Sequence, residues 1–247
     1  MQNKYVGIFI VAIILILLSI GYLVMNVTEK NKQDIPIVRA ALNEHWNSMI
    51  ANSTYKFSDL HRLYDDSSYI MTDDPIILEY SDPNVGVTFP ATRFLRINTI
   101  VGRVMSITLT PHLSALDIHE AFKLLEKLNE KLSEIGWEQS ETRTPIFSIE
   151  EFQARAIRIE KPRFSKTQAE WKAGQTGLRI TIKRIRKVGP DPDFPSIVAE
   201  KDRYIVEVRI YDLALSTALY KKMHEKRQEL YGNTYERVPL NYWLENE

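Results

Sequence analysis

Apolar and polar positions follow three different periods along this chain, and the longest unbroken apolar run comes first. From Val6 to Met25 there are twenty residues without a charge. As a helix rising about 1.5 Å per residue, such a run spans roughly 30 Å, the thickness of a bilayer's hydrocarbon core. Tyr5 and Tyr22 stand near its ends, where amphipathic rings prefer the membrane interface, and a helix lets the central Ser19 bond back to its own carbonyls. The run predicts a single-pass transmembrane helix over residues 5–26, preceded by a tail of residues 1–4. A cleaved signal peptide is the competing reading. Ser19-Ile20-Gly21 resembles a cleavage site, but apolar residues continue to Met25, past the roughly 7–15 residues of such a core. Counting Lys and Arg alone keeps the domain inside. Against that, long domains translocate largely regardless of charge, and a tail this short stays in the cytoplasm. The expectation is a protein held in a membrane by its N-terminus with its domain outside the cytoplasm.

Period 3.6 comes next. Asp34 and Pro36 suit a helix start, and Val38, Leu42, Trp46 and Met49 recur at helical spacing, predicting a helix to Ile50 with a hydrogen-bonded His45 at the stripe's edge. A further turn is expected through Phe57, Leu60 and Leu63, so residues 27–75 read as a juxtamembrane helical segment. The acids Asp65, Asp66, Asp73 and Asp74 lack the alternating spacing and central glycine of a calcium loop and read as a solvated patch.

Period 2 dominates from Ile76. Strands are expected at residues 76–80, 85–89, 94–97 and 103–110, the last with Met105, Ile107 and Leu109 on one face and half buried. A capping box at Ser114 and Asp117 then opens a long amphipathic helix through Ile118, Phe122, Leu125, Leu128, Leu132 and Ile135, closed by Gly136. Short helices are expected from Ser148 and from Ser165, the second carrying Trp171 and ending at Gly174. Leu178, Ile180 and Ile182 alternate with Arg179, Thr181 and Lys183; Tyr204, Val206, Val208 and Ile210 alternate with Ile205, Glu207, Arg209 and Tyr211. These two strands predict an antiparallel hairpin across the proline-rich residues 189–202, with Glu207 facing the basic side chains opposite. A helix from Ser216 to Tyr231 and an aromatic tail at residues 238–243 finish the chain. The fold class expected is α+β: one N-terminal transmembrane helix, then a mixed, mainly antiparallel sheet packed by amphipathic helices over residues 76–247. The order strand–strand–helix, met twice, divides that domain into related halves, 76–145 and 146–247.

Composition narrows the chemistry. Lys plus Arg and Asp plus Glu number 32 each, so no global charge draws the protein to nucleic acid. The absence of cysteine removes disulfides, thiol nucleophiles and thiolate-ligated metals. No glycine-rich phosphate loop, Gly-x-Ser-x-Gly elbow or His-Glu-x-x-His pair occurs. His112, Asp117, His119 and Glu120 form the densest group of potential ligands, which helix capping explains as well. The reading therefore assigns no catalytic residue, no cofactor and no metal. The basic run Arg179, Lys183, Arg184, Arg186 and Lys187, with Lys221, Lys222, Lys226 and Arg227 on the last helix, is a candidate docking surface for an acidic protein or anionic headgroups, unless Glu207, Glu225 and Glu229 balance it. Asp191 and Asp193 complete the interaction candidates.

The stretch from Val104 to Trp137, a strand ending Ile-Thr-Leu-Thr-Pro, an amphipathic helix and a Gly-Trp return, resembles membrane-anchored immunity proteins of bacterial toxin–immunity systems. The resemblance covers about a seventh of the chain and carries over no functional residue. It implies inhibition of an incoming envelope toxin by surface occlusion. The function expected is a membrane-anchored, non-enzymatic interaction module: the lipid bilayer is one partner, through the run from Val6 to Met25, and a protein at the membrane surface the other, with no nucleic acid. A scaffold or assembly subunit of a membrane complex fits the same features. The alternative is an envelope enzyme or small-ligand binder with a site built on Asp191 and Asp193 or on the turn from His112 to Glu120.

Overall fold

The computed structural model describes residues 35–57, 67–72, 74–141, 148–157, 165–185, 203–234 and 236–246. The chain divides into two units, Met1–Ile35 and Pro36–Glu247. The first, apart from Ile35, lies outside the described residues, and with it the expected transmembrane span. Among the described residues no helix is long and apolar enough to cross a membrane.

The second unit is α+β. Its large sheet has seven antiparallel strands, in the order β2 (Ser67–Thr72), β5 (Phe94–Ile100), β6 (Arg103–Thr110), β10 (Arg203–Asp212), β9 (Thr176–Ile185), β8 (Ser165–Ala173) and β7 (Glu138–Gln139). A small sheet pairs β1 (Ile37–Ala40) parallel to β3 (Ile77–Tyr80), with β4 (Val87–Thr88) antiparallel beyond it. The helices are α1 (Trp46–Asn52), α2 (Ile118–Glu134), α3 (Ile149–Ile157), α4 (Leu213–Tyr231) and α5 (Leu240–Asn246).

Helix α2 forms where its spacing predicts. Its cap lies three residues later than expected: Asp117 Oδ1 accepts from the N–H groups of His119 and Glu120, and Glu120 Oε2 accepts from Asp117 N–H. The helix ends as a Schellman turn. Trp137 N–H donates to Leu132 O and Gly136 N–H to Ser133 O, with Gly136 at φ 89°. Its buried side chains Ala121, Leu125, Leu128 and Leu132 cover Ile107 and Leu109 of β6 and Val206, Val208 and Ile210 of β10. Each large side chain taken out of water stabilises the packing by about 1.5–3 kcal/mol. Trp137 Nε1–H donates to Val85 O and Lys131 Nζ to Thr88 O, fastening the same helix to the small sheet.

A second, smaller core joins Leu219 and Met223 of α4 to Ile100, Val101, Val238 and Trp243. A bulge makes this possible. Asn98 pairs with Ser106 and Thr99 with Val104, so Met105 is left unopposed. The alternation of β6 therefore flips. Val104 joins Ile107 and Leu109 in the large core, while Met105 packs on the small one. The strand expected to be half buried is covered along much of both faces for this reason. The aromatic tail docks as α5, its Trp243 2% exposed.

Three expectations are corrected. Residues 37–40 are a strand: Val38 and Ala40 are buried in alternation with Ile37 and Arg39, so the long helix to Ile50 shrinks to α1, capped by His45, whose Nδ1 accepts from Asn47 N–H. Within the expected helical segment 27–75, Ile37–Ala40 and Ser67–Thr72 are strands, and the chain from Pro36 onward belongs to the folded unit. The helix expected from Ser165 is strand β8, which turns at Gly174 into β9. Ala169 and Trp171 bury one face of β8, and Trp171 Nε1–H donates to Asn129 Oδ1 of α2. The expected turn through Leu60 and Leu63 lies outside the described residues.

Candidate functional site

Alternation gives each strand of the large sheet a second face, turned away from α2, and this face is polar. The register carries one row straight across it: Met71, Arg96, Thr108, Arg209, Arg179 and Glu170. The neighbouring row runs Tyr69, Asn98, Ser106, Tyr211 and Gly177. Helix α4 covers one end of the face, and Asn98 Nδ2 donates to the buried Ser106 Oγ there. Farther along, Arg96 and Arg209 are exposed, as are Tyr69 at 52% and Met71 at 45%.

Two arginine–tyrosine pairs stand on this face. The Arg96 guanidinium lies 4.4 Å from the centre of the Tyr69 ring and donates through Nε to Asn98 Oδ1. Arg209 lies 6.0 Å from the Tyr211 ring, with Arg179 at 5.5 Å from the same ring. Gly177 is what lets Tyr211 lie across its neighbour strand, because a Cβ at 177 would sit 2.7 Å from Tyr211 Cζ. Arg96 and Arg209 flank Thr108 two strands apart, a separation of roughly 10 Å.

The expected basic cluster divides between faces. Arg179 and Lys183 share the polar face and pair there with carboxylates, Arg179 Nε to Glu170 at 2.7 Å and Lys183 Nζ to Glu207 at 2.6 Å. Arg184 falls on the opposite face, in register with Tyr204. Arg186, Lys187, Asp191 and Asp193 lie outside the described residues. On α4, Lys221 pairs with Glu225 and Lys226 with Glu229, and Lys226 Nζ also sits 5.0 Å over the Tyr242 ring. Glu207, Glu225 and Glu229 thus each pair with one of these cations, Lys183, Lys221 and Lys226. The sequence reading did not single out Arg96, Arg209, Tyr69 or Tyr211.

In the turn from His112 to Glu120, His112 and Asp117 are held by backbone groups. The His112 ring bridges backbone: Nδ1–H donates to Ser114 O at 2.7 Å, and Nε2 accepts from Val206 N–H at 3.1 Å. Burial holds its pKa below the ordinary 6.5, so the ring is neutral. Asp117 is held below the usual carboxylate range, first by the Glu120 N–H and then by that of His119, which is the cap itself. Burial, with Asp82 next, pushes the Tyr80 hydroxyl up to about 12. Among the described residues no three His, Asp or Glu side chains gather as a metal would need.

No family model matches this chain, and no curated protein or solved structure matches it either.

Proposed function

We propose that this protein is a non-enzymatic interaction module, held at the cell envelope by the run from Val6 to Met25, whose polar sheet face docks a partner protein. The observation that supports this most is the pair of exposed arginines on a rigid sheet face, each beside a tyrosine. Sheet strands hold side chains more firmly than loops do, and Arg with Tyr is the composition enriched at protein interfaces. The enzyme alternative has less behind it, because His112 and Asp117 are engaged with backbone N–H and C=O groups. Within this reading, the immunity-type resemblance makes the partner a toxin acting at the envelope; a scaffold role uses the same surface.

The test is affinity capture of the full chain, extracted in neutral detergent from its own cells. A stoichiometric partner protein sustains the module. A preparation that contains bound metal and no partner points to the enzyme instead. Protein recovered in the salt-washed soluble fraction, trimmed near Tyr22, removes the anchor.

A further inference from the structure

On the polar face Arg179 pairs with Glu170 and Lys183 with Glu207, whereas Arg96 and Arg209 have no carboxylate among the described residues. Arg96 lies over the Tyr69 ring and Arg209 is 6.0 Å from the Tyr211 ring that Arg179 also approaches, and Thr108 lies between the two arginines. Two forked donors, on opposite sides of one strand and roughly 10 Å apart, make a two-point receptor for carboxylates. The rings limit how far each guanidinium wanders, which lowers the entropy lost on binding.

We propose that these two pairs grip an extended acidic segment of a partner protein, laid along β6, with neighbouring Asp or Glu side chains reaching Arg96 on one side and Arg209 on the other. The inference rests on the interaction-module reading and specifies its partner's chemistry. Successive side chains of an extended chain point in opposite directions, which is what two receptors either side of one strand require. Single-stranded nucleic acid fits less well. It binds by stacking bases on aromatic faces, and here Arg96 already occupies a face of Tyr69 while Tyr211 lies over Gly177.

The experiment uses the full chain in neutral detergent with poly-L-glutamate, which self-repulsion keeps extended at neutral pH, and a twelve-residue oligothymidylate as rival. Saturable binding of polyglutamate is expected. It weakens about tenfold or more in Arg96→Ala/Arg209→Ala, in keeping with the loss of charge-assisted bonds. Arg96→Lys/Arg209→Lys keeps the charge but loses the fork, and is expected to weaken binding as well. Lys123→Ala/Lys127→Ala, on α2 and the other side of the sheet, binds like the parent. Equal losses in both alanine pairs, tighter binding of the oligothymidylate, or no saturable polyglutamate binding each overturn the proposal. If a partner co-purifies unchanged with Arg96→Ala/Arg209→Ala, this inference fails while the module stands. If polyglutamate binds as expected but no partner is captured, the module reading fails.

Discussion

The two faces of the seven-stranded sheet are built from the same strands and have opposite tolerances. The face under α2 is apolar and sealed: Ile107, Leu109, Ile180, Val208 and Ile210 have no measurable exposure. Their neighbours on the same strands, Thr108, Arg179 and Arg209, look outward. One face fixes the fold, so the other is free to carry chemistry. That division makes substitutions separable: changes below the sheet should cost stability, and changes above it should cost binding.

The largest effect is expected at Trp171→Ala, which removes a fully buried indole and its bond to Asn129. The loss is about 3–5 kcal/mol, read as a lowered urea midpoint. A variant melting like the parent would mean that the covered face is not the stabilising one. His112 comes next, at the margin of the same core. Its folded pKa lies below that of the unfolded chain, so the unfolded state takes up the proton first on acidification. The stability it contributes is full above pH about 6.5 and is lost as pH falls towards its folded value. Urea midpoints at pH 7.5 and 5.5 should show this fall in the parent, and a smaller one in His112→Asn. Equal falls in both would assign the acid sensitivity elsewhere.

Gly177→Ala tests the seam between the faces. The added methyl displaces the Tyr211 ring, costing about 1–3 kcal/mol and changing the near-ultraviolet tyrosine dichroism. An unchanged spectrum would show that the ring does not lean on that backbone. The smallest effect belongs to Arg209→Ala, expected to leave stability within about 0.5 kcal/mol of the parent. A larger drop would make Arg209 part of the scaffold and blur the contrast altogether.

Where sequence and structure agree, a pattern is long and local. Helix α2 has four turns of unbroken spacing, and the β9–β10 pair is readable because apolar and polar residues alternate over residues 178–183 of β9 and 206–211 of β10. Strand β1 misleads because its four residues also fit a helical stripe through Val38, Trp46 and Met49, and so short a strand shows its period only through pairing with β3. Strand β8 misleads through its bulge: Gln168 stands unopposed between Thr167 and Ala169, which breaks the alternation and leaves a false capping box at Ser165 and Gln168. The cationic site was half legible. Arg179 and Lys183 belong to a basic run, and the hairpin register already sets Arg209 opposite Arg179. Arg96 and Tyr69 could not be placed beside them, because that needs the pairings of β2 with β5, β5 with β6 and β6 with β10, none of which the sequence specifies.

The pairing of β6 with β10 has a kinetic consequence. Leu109 meets Val208, and Ile107 meets Ile210, across about a hundred residues of chain, in the middle of the sheet. Such distant partners meet late, and sheets rich in them fold slowly. While the ribosome is still making the second half, the first hairpin has unpaired backbone N–H and C=O groups along β6, a template for pairing with another nascent copy. The central seam is therefore the step at which a chaperone would matter most to this protein.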